Sequence, residues 1–149
     1  MDHGILKMER YDCNRRFFKP EFGSAKSVGI DVFLPEHLII KADDYCVVSL
    51  NLKTTIPDGF YLHICDKSSK AAKGIRTMGG IIDSDYDGEI KVILHNINKY
   101  DVGYGAGEKI CQLILKRCYI QSDCVVQRSG GFGSTGSVWI GSGEDTEED

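Results

Sequence analysis

Three segments, far apart in the sequence, carry residue types that could bind and cleave a phosphorylated nucleotide. The turn 83–88 has three carboxylates beside Tyr86, the segment 67–73 has two serines flanked by lysines, and the stretch 129–136 places Phe132 among glycines. Carboxylates can hold a divalent cation or take a proton from water, whereas lysines, serines and free backbone N–H groups suit phosphate. A phenylalanine in a glycine arm can stack on a nucleobase. From the residues alone, ordinary exposed polar turns stay open as the alternative.

Two segments match known motifs letter by letter, but the residues around them do not fit those motifs. The turn 83–88 matches the start of a calcium-binding EF-hand loop, but position twelve of that loop is Leu94 instead of a bidentate carboxylate. The segment 131–136 reads GxGxxG, yet only 13 residues follow it and it lacks a lysine. It therefore fits neither a dinucleotide-binding unit nor a Walker loop.

The elements that must position these residues are predominantly strands. Apolar residues recur with a period of two, and Gly, Pro, Asn or Asp separate the runs. This pattern predicts an all-β fold, either a barrel or a jelly-roll sandwich. One short helix is predicted over 68–73, with Ser68 or Ser69 as its N-cap and Gly74 just past its end. The predicted strands are 28–34, 45–52, 60–65, 89–96, 109–120 and 124–127, with turns at 57–59 and 101–103.

Length and composition limit the class of protein. The 149 residues, 42% hydrophobic and 27% charged, predict one globular domain, and no apolar run reaches the roughly 20 residues of a membrane span. The segment 144–149 contains five acids and no base, so removing it changes the formal net charge from −4 to +1. A nearly neutral body argues against binding duplex DNA. Six cysteines without CxxC or zinc-ligand spacing predict reduced, mostly buried thiols. The first residues contain no apolar stretch of signal-peptide length, so we expect a cytosolic protein, with the nucleus as an alternative.

Five segments stand out in chain order: SVGIDV (27–32), DKSSKAAKG (66–74), GGIIDSDYDGE (79–89), GEKICQLI (107–114) and RSGGFGSTG (128–136). They resemble, in the same order, the five motifs of the trimeric dUTP diphosphatase (dUTPase) family. The resemblance implies a β jelly roll, a homotrimer with shared active sites, and Mg²⁺-dependent hydrolysis of dUTP to dUMP and pyrophosphate. It also implies a β domain over 1–136 that ends in a mobile glycine-rich arm at 128–136. For the residues after it, the acidic composition predicts a flexible tail at 137–149.

The resemblance also implies a role for each residue that matches a family motif. Asp83 would be the general base that activates water, and Asp31 would hold Mg²⁺ through a water molecule. Tyr86 would lie against the deoxyribose and exclude a 2′-hydroxyl by shape. The uracil would be read by backbone groups of Gly80, Ile81 and Ile82 and covered by Phe132, with Gly133 and Ser134 beside it in the arm. The residues implied at the phosphates are Lys67, Ser68, Ser69, Gln112, Arg128 and, more weakly, Lys91.

The chain departs from the family pattern at several positions. Lys67 stands where arginine is usual, and Asp66 and Lys70 replace residues that are commonly uncharged. Arg128 precedes Phe132 by one residue fewer than usual, and the connection before it is shorter. These departures keep a second reading open, a non-catalytic nucleotide-binding module on the same fold. A third reading is dCTP deaminase activity.

Overall fold

The structure, a computed structural model, describes residues 4–119 and Val125. Within these residues the chain forms eleven strands and one short helix, so the all-β prediction is confirmed. The elements are β1 (Lys7–Arg10), β2 (Glu21–Phe22), β3 (Ile30–Phe33), β4 (Leu38–Ile40), β5 (Tyr45–Thr55), β6 (Phe60–Asp66), α1 (Ser68–Ala71), β7 (Ile75–Met78), β8 (Ile81–Ile82), β9 (Ile90–Asn96), β10 (Val102–Tyr104) and β11 (Lys109–Arg117).

Two antiparallel sheets form the jelly roll. A four-stranded sheet has the order β1-β5-β9-β7, and a five-stranded sheet has the order β2-β3-β11-β6-β8. The strands β4 and β10 form a separate pair. Side chains alternate along each strand, so β9 points every second residue inward, as its regular burial pattern shows. The core between the sheets is made of aliphatic residues such as Leu34, Leu52, Leu62, Leu94 and Leu113.

The predicted strands with a long alternation of apolar and polar residues are present in the structure. The structure also contains short strands that the sequence pattern does not predict. Five predictions overlap β3, β5, β6, β9 and β11, whereas the sixth, 124–127, lies outside the described residues except for Val125. The missed strands are two to four residues long and show too little alternation to be recognised. The predicted turn at 101–103 is wrong, because Val102 and Gly103 belong to β10 and pair with Ile40 and Ile39.

The short helix exists but begins one residue earlier than its predicted cap implies. Lys67 is the N-cap, Ser68 is already helical, and the helix ends at Ala71. No side chain caps the helix, so neither serine plays the predicted role. Gly74 ends the following turn with a positive φ of 84°, and its N–H donates to Ala71. The helix is thus a single turn held between β6 and β7.

Two fully buried asparagines join distant loops. Asn96 donates from its amide to the backbone oxygens of Ile40, Lys41 and Tyr100, at 3.0, 3.3 and 2.9 Å, and its Oδ1 accepts from Asn98. Asn51 does the same for the loop 12–16. A buried amide with every polar atom engaged fixes a single arrangement of its loops.

Replacing Asn96 with alanine should therefore destabilise the protein strongly. The substitution leaves three backbone oxygens without their donor, one of them fully buried and two partly buried. We expect a loss of about 2–4 kcal/mol in the free energy of unfolding. Urea denaturation at fixed protein concentration measures it. The control is Asn14→Ala, because Asn14 is exposed and a surface change of this kind costs less than about 0.5 kcal/mol. Equal losses for the two variants would contradict this account of Asn96.

The cysteines in the described residues are free thiols, in agreement with the absence of disulfide spacing. Their predicted burial is only partly correct. Cys111 is buried, and burial raises its pKa to about 12, but Cys13 and Cys118 are exposed. The single helix described between residues 4 and 119 is far too short and polar to cross a membrane.

Candidate active site

A buried carboxylate shared by two lysines marks one half of the candidate site. Asp31 on β3 is 3% exposed, and its Oδ1 accepts a 2.8 Å hydrogen bond from the Nζ of Lys67. The Nζ of Lys109, at the start of β11, lies 3.4 Å from Oδ2. Gln112 is the cross-strand partner of Asp31, and its amide donates to the backbone oxygen of Asp66 at 2.9 Å. Segments from the first, second and fourth motif positions thus meet in one place.

The electrostatics of this half follow from the burial of Asp31. Burial by itself would raise the pKa of Asp31, but the hydrogen bonds and positive charges of Lys67 and Lys109 outweigh it and hold that pKa below its ordinary value. The ion pairs therefore stabilise the folded protein above the unfolded-state pKa of about 4. This contribution is lost as the pH falls through the lower folded-state pKa.

Asp31→Asn should accordingly flatten the acid limb of the stability curve. The wild-type protein loses stability as the pH falls below about 4, and the variant, which has no carboxylate to protonate here, should lose less over the same window. Thermal melting in buffers from neutral to strongly acid pH measures the difference. Parallel curves for the two proteins would contradict the assignment of a lowered pKa to Asp31.

The start of α1 lies directly beside this pair. Ser68 and Ser69 are exposed, and their backbone N–H groups find no acceptor among the described residues, as is usual at the first turn of a helix. Lys70 fixes the helix from below, because its Nζ lies 4.7 Å from the ring centroid of Tyr104 and 3.5 Å from Oε1 of Glu108. Ser68 and Ser69 are therefore exposed on a helical turn whose position is fixed by Lys70.

The other half of the candidate site is the turn between β8 and β9. Asp83 is exposed, and among the described residues its carboxylate makes no hydrogen bond or ion pair. Its backbone oxygen accepts from the N–H of Tyr86 at 3.1 Å, which closes the turn. The hydroxyl of Tyr86 donates to the backbone oxygen of Glu89 at 2.6 Å, so the ring is held across the turn. A carboxylate open to solvent thus stands next to a fixed aromatic ring.

Gly80, which precedes this turn, leaves no room for a side chain. Gly80 has φ of 128°, and a Cβ there would lie 2.8 Å from the backbone oxygen of Ile64. The Gly80 oxygen accepts from the Ile64 N–H at 2.7 Å, which places the segment against β6. Ile81 is exposed and Ile82 is buried in the core. The role of this segment at a uracil stays a prediction.

Lys91 points elsewhere than the two lysines around Asp31. It lies on β9 opposite Ser49, and its Nζ is 3.7 Å from Oε1 of Glu89. It therefore belongs to the surroundings of the Tyr86 turn. The predicted arm residues Arg128, Phe132, Gly133 and Ser134 lie outside the described residues, as do the predicted tail and most of the last predicted strand.

One chain keeps the two halves apart. Asp31 pairs with Gln112 on β11, whereas Ile82, next to Asp83, pairs with Leu62 on β6, which faces Leu115 on β11. Asp31 and Ile82 are separated by three strand spacings across the sheet and by three residues along the strands. At usual strand spacings, their Cα atoms are therefore about 17 Å apart. This distance is too large for Asp83 to act on the same phosphate group as Lys67 and Lys109 of the same chain.

The described residues offer no ready-made metal centre. Within residues 4–119 and 125, no three His, Cys, Asp or Glu side chains come close enough to hold a metal ion. Each oxygen of Asp31 already lies beside a lysine ammonium group, at 2.8 and 3.4 Å, so this carboxylate is neutralised without a metal ion. These residues fit a cation carried by the triphosphate and reached through water. The predicted contact of Asp31 with Mg²⁺ stays a prediction.

Several residues of the site were not recognised from the sequence. Lys109 completes the charge balance of Asp31, and Arg15, Asn51 and Glu89 form a network behind Tyr86. Glu89 was part of a matching segment but was not assigned a role. The local signal for Asn51 is an asparagine between two leucines, Leu50 and Leu52, in a predicted strand. Arg15 lies 74 residues from Glu89 and gave no signal at all.

The chain is similar to known proteins over most of its length. The dUTPase family model matches residues 16–136. The deoxyuridine 5'-triphosphate nucleotidohydrolase of Saccharomyces cerevisiae is 37% identical over 127 residues, which cover 79% of this chain and 86% of that protein. The native EIAV dUTPase structure has a TM-score of 0.68 at 25% identity and covers 87% of this chain and 98% of its own. A third similar protein is a mutant dUTPase of phage phi11 of S. aureus, whose structure is described with a structural Mg(II) ion. It has a TM-score of 0.72 at 17% identity and covers 87% of this chain and 99% of its own, which shows that the two proteins share a fold.

The match is broad as well as specific. The family model spans most of the chain and includes all five motif-like segments, and the yeast protein is similar over most of its own length. The segments that resemble the first, second and fourth motifs meet around Asp31. The chain therefore belongs to the dUTPase family.

Proposed function

We propose that this protein hydrolyses dUTP to dUMP and pyrophosphate, which limits uracil in DNA and supplies dUMP for dTMP synthesis. The observation that carries the proposal is the turn between β8 and β9. There the Asp83 carboxylate has no partner among the described residues, and the hydroxyl of Tyr86, on the same turn, is held by Glu89. A general base needs a carboxylate that is free to accept a proton. A ring fixed at the sugar can exclude the 2′-hydroxyl of a ribonucleotide by shape.

In the proposed reaction, Asp83 takes a proton from a water molecule whose oxygen attacks the α-phosphorus of dUTP. The new oxygen–phosphorus bond forms as the bond between the α-phosphorus and the bridging oxygen breaks, and pyrophosphate leaves with the bonding electron pair. Lys67, together with the N–H groups of Ser68 and Ser69, would bind the phosphates and offset the charge that develops on the leaving group. Bound with the nucleotide, Mg²⁺ would shield the same charge.

We further propose a homotrimer in which each active site takes its phosphate-binding half from one subunit and Asp83 from another. The separation of about 17 Å estimated from strand geometry supports sharing, because one chain does not bring the halves together. An exposed apolar row supports association. Val47 and Met78, 44% and 45% exposed, flank Ile93 across β5, β9 and β7 on the face turned away from the core. A row of this kind is suited to an interface between subunits.

We propose that the enzyme works in the cytosol or the nucleus. The support is the state of its cysteines, since Cys13, Cys46, Cys65, Cys111 and Cys118 are free thiols. Such thiols persist in reducing compartments. Without the acidic segment 144–149, the formal net charge is only +1. Such a nearly neutral protein is better suited to a nucleotide substrate than to a nucleic acid.

A comparison of four nucleotides tests the function. Purified full-length protein with Mg²⁺ should release pyrophosphate rapidly from dUTP and much more slowly from dTTP, dCTP and UTP. Release of ammonia from dCTP would indicate deamination instead. Binding of dUTP without any turnover at high Mg²⁺ would favour the non-catalytic nucleotide-binding module, for which the departures in the fifth motif are the main argument. Either outcome would overturn the proposal of dUTP hydrolysis.

A further inference from the structure

We propose that Arg15, which lies outside the five motif segments, is a positioning residue that fixes the ring of Tyr86 through Glu89 and so sets the discrimination between deoxyribose and ribose. The inference rests on the proposed function, in which Tyr86 lies against the sugar. Arg15 would not touch the nucleotide itself. Its effect would pass through two hydrogen-bonded contacts within the described residues.

The first contact is the one that holds the ring. The Tyr86 hydroxyl donates to the backbone oxygen of Glu89 at 2.6 Å, and Tyr86 also packs against the edge of the core. Gly88 makes this geometry accessible, because a Cβ there would come within 2.8 Å of the Tyr86 hydroxyl oxygen. The position of the ring therefore depends on where the backbone of Glu89 lies.

The second contact holds the side chain of Glu89, the residue whose backbone oxygen accepts from Tyr86. The Glu89 side chain is only 9% exposed, and its Oε2 accepts from the Nη2 of Arg15 at 2.6 Å and from the N–H of Asn51 at 2.9 Å. Lys91 is more distant, with its Nζ 3.7 Å from the other carboxylate oxygen. Because a buried carboxylate must keep its partners, Glu89 cannot shift unless Arg15 shifts with it. Of the cations in the part of the chain that the structure describes, Arg15 lies closest to this charge.

The loop that delivers Arg15 is itself held in place. Asn51 is fully buried with φ of 54°, at the point where the pairing of β5 with β9 shifts register. Its amide nitrogen donates to the backbone oxygens of Asp12, Arg15 and Arg16, at 3.2, 3.1 and 3.0 Å. The backbone of Arg15 is thus fixed by the same residue that donates to Glu89. The network joins a register shift in β5 to the ring of Tyr86.

Discrimination by shape is sensitive to small displacements. Ribose differs from deoxyribose by one oxygen atom, so a ring that moves by a fraction of an ångström could admit it. A misplacement of about 1 Å can cost a hundredfold in rate even when the mutation is remote from the reaction. An anchor for the ring is therefore as important to specificity as the ring itself.

The test is the ratio of kcat/KM for dUTP to that for UTP. Arg15→Met keeps an apolar stem but removes the charge and the hydrogen bond, and we expect the ratio to fall by about tenfold or more. Arg15→Lys should restore part of the ratio, because it keeps the charge but not the guanidinium fork. The matched control is Ile75→Val, a conservative core truncation on β7, which should lower Tm without changing the ratio.

A double variant identifies the route of the effect. Tyr86→Phe removes the hydroxyl that contacts Glu89, so Arg15→Met should lower the ratio much less in that background than in the wild type. Full additivity, or an unchanged ratio for Arg15→Met alone, would overturn the inference while leaving the proposed function intact. A wild-type protein that does not hydrolyse dUTP, or does not prefer it to UTP, would contradict the proposed function instead.

Discussion

Replacing Asp83 with asparagine should lower the rate of dUTP hydrolysis by roughly 10³-fold or more while leaving the protein folded. A general base contributes about 10²–10⁴-fold to a rate, and an amide cannot accept the proton that water must lose. Because Asp83 is exposed and its carboxylate has no partner among the described residues, its loss should cost little stability. Pyrophosphate release at saturating dUTP measures the rate, and thermal melting measures the stability.

The control for this experiment is Asp87→Asn. Asp87 lies on the same turn, is also exposed, and its substitution removes the same charge. If the effect of Asp83 were only the local electric field, the two variants would lose similar activity. Near wild-type turnover by Asp83→Asn would show that another group acts as the base.

Two variants that are inactive alone should regain activity when they are combined in one trimer. Asp83→Asn damages the catalytic half and Lys67→Gln weakens the phosphate half, while the new amide can still donate to Asp31. In a trimer with closed rotational symmetry that contains both variants, one of the three shared sites receives an intact half from each kind of subunit. We therefore expect about one third of the wild-type rate per trimer.

The mixed trimers can be isolated by co-expressing the two variants with different affinity tags and purifying on both in turn. Each variant purified alone gives the baseline, and the same Asp83→Asn chain carrying both kinds of tag is the matched control. Recovery well above the baseline would support sharing between subunits. If the mixed trimers were no more active than either parent, each site would have to lie within one chain.

Local patterns predicted the strands that matter for the site. The alternation in 89–96 and 109–120 is long enough to identify β9 and β11, because a half-buried strand exposes every second side chain. The strands β4, β8 and β10 are only two or three residues long, and pairing with a neighbour, which a local pattern does not reveal, defines them. The error at 101–103 has the same cause. An aspartate and a glycine within three residues are typical of a turn, but here Gly103 pairs with Ile39.

The sequence by itself determined the chemical groups and their order, since the motif-like segments around Asp31, Lys67, Asp83 and Gln112 could be read without coordinates. The tertiary structure decided which of them meet. Lys67 reaches Asp31 across 36 residues and Arg15 reaches Glu89 across 74, and such pairings depend on how the sheets fold together. It also decided that Asp83 stays far from the lysines within one chain. Side-chain type is a local property, whereas distance in space is set by strand order and register, to which the whole chain contributes.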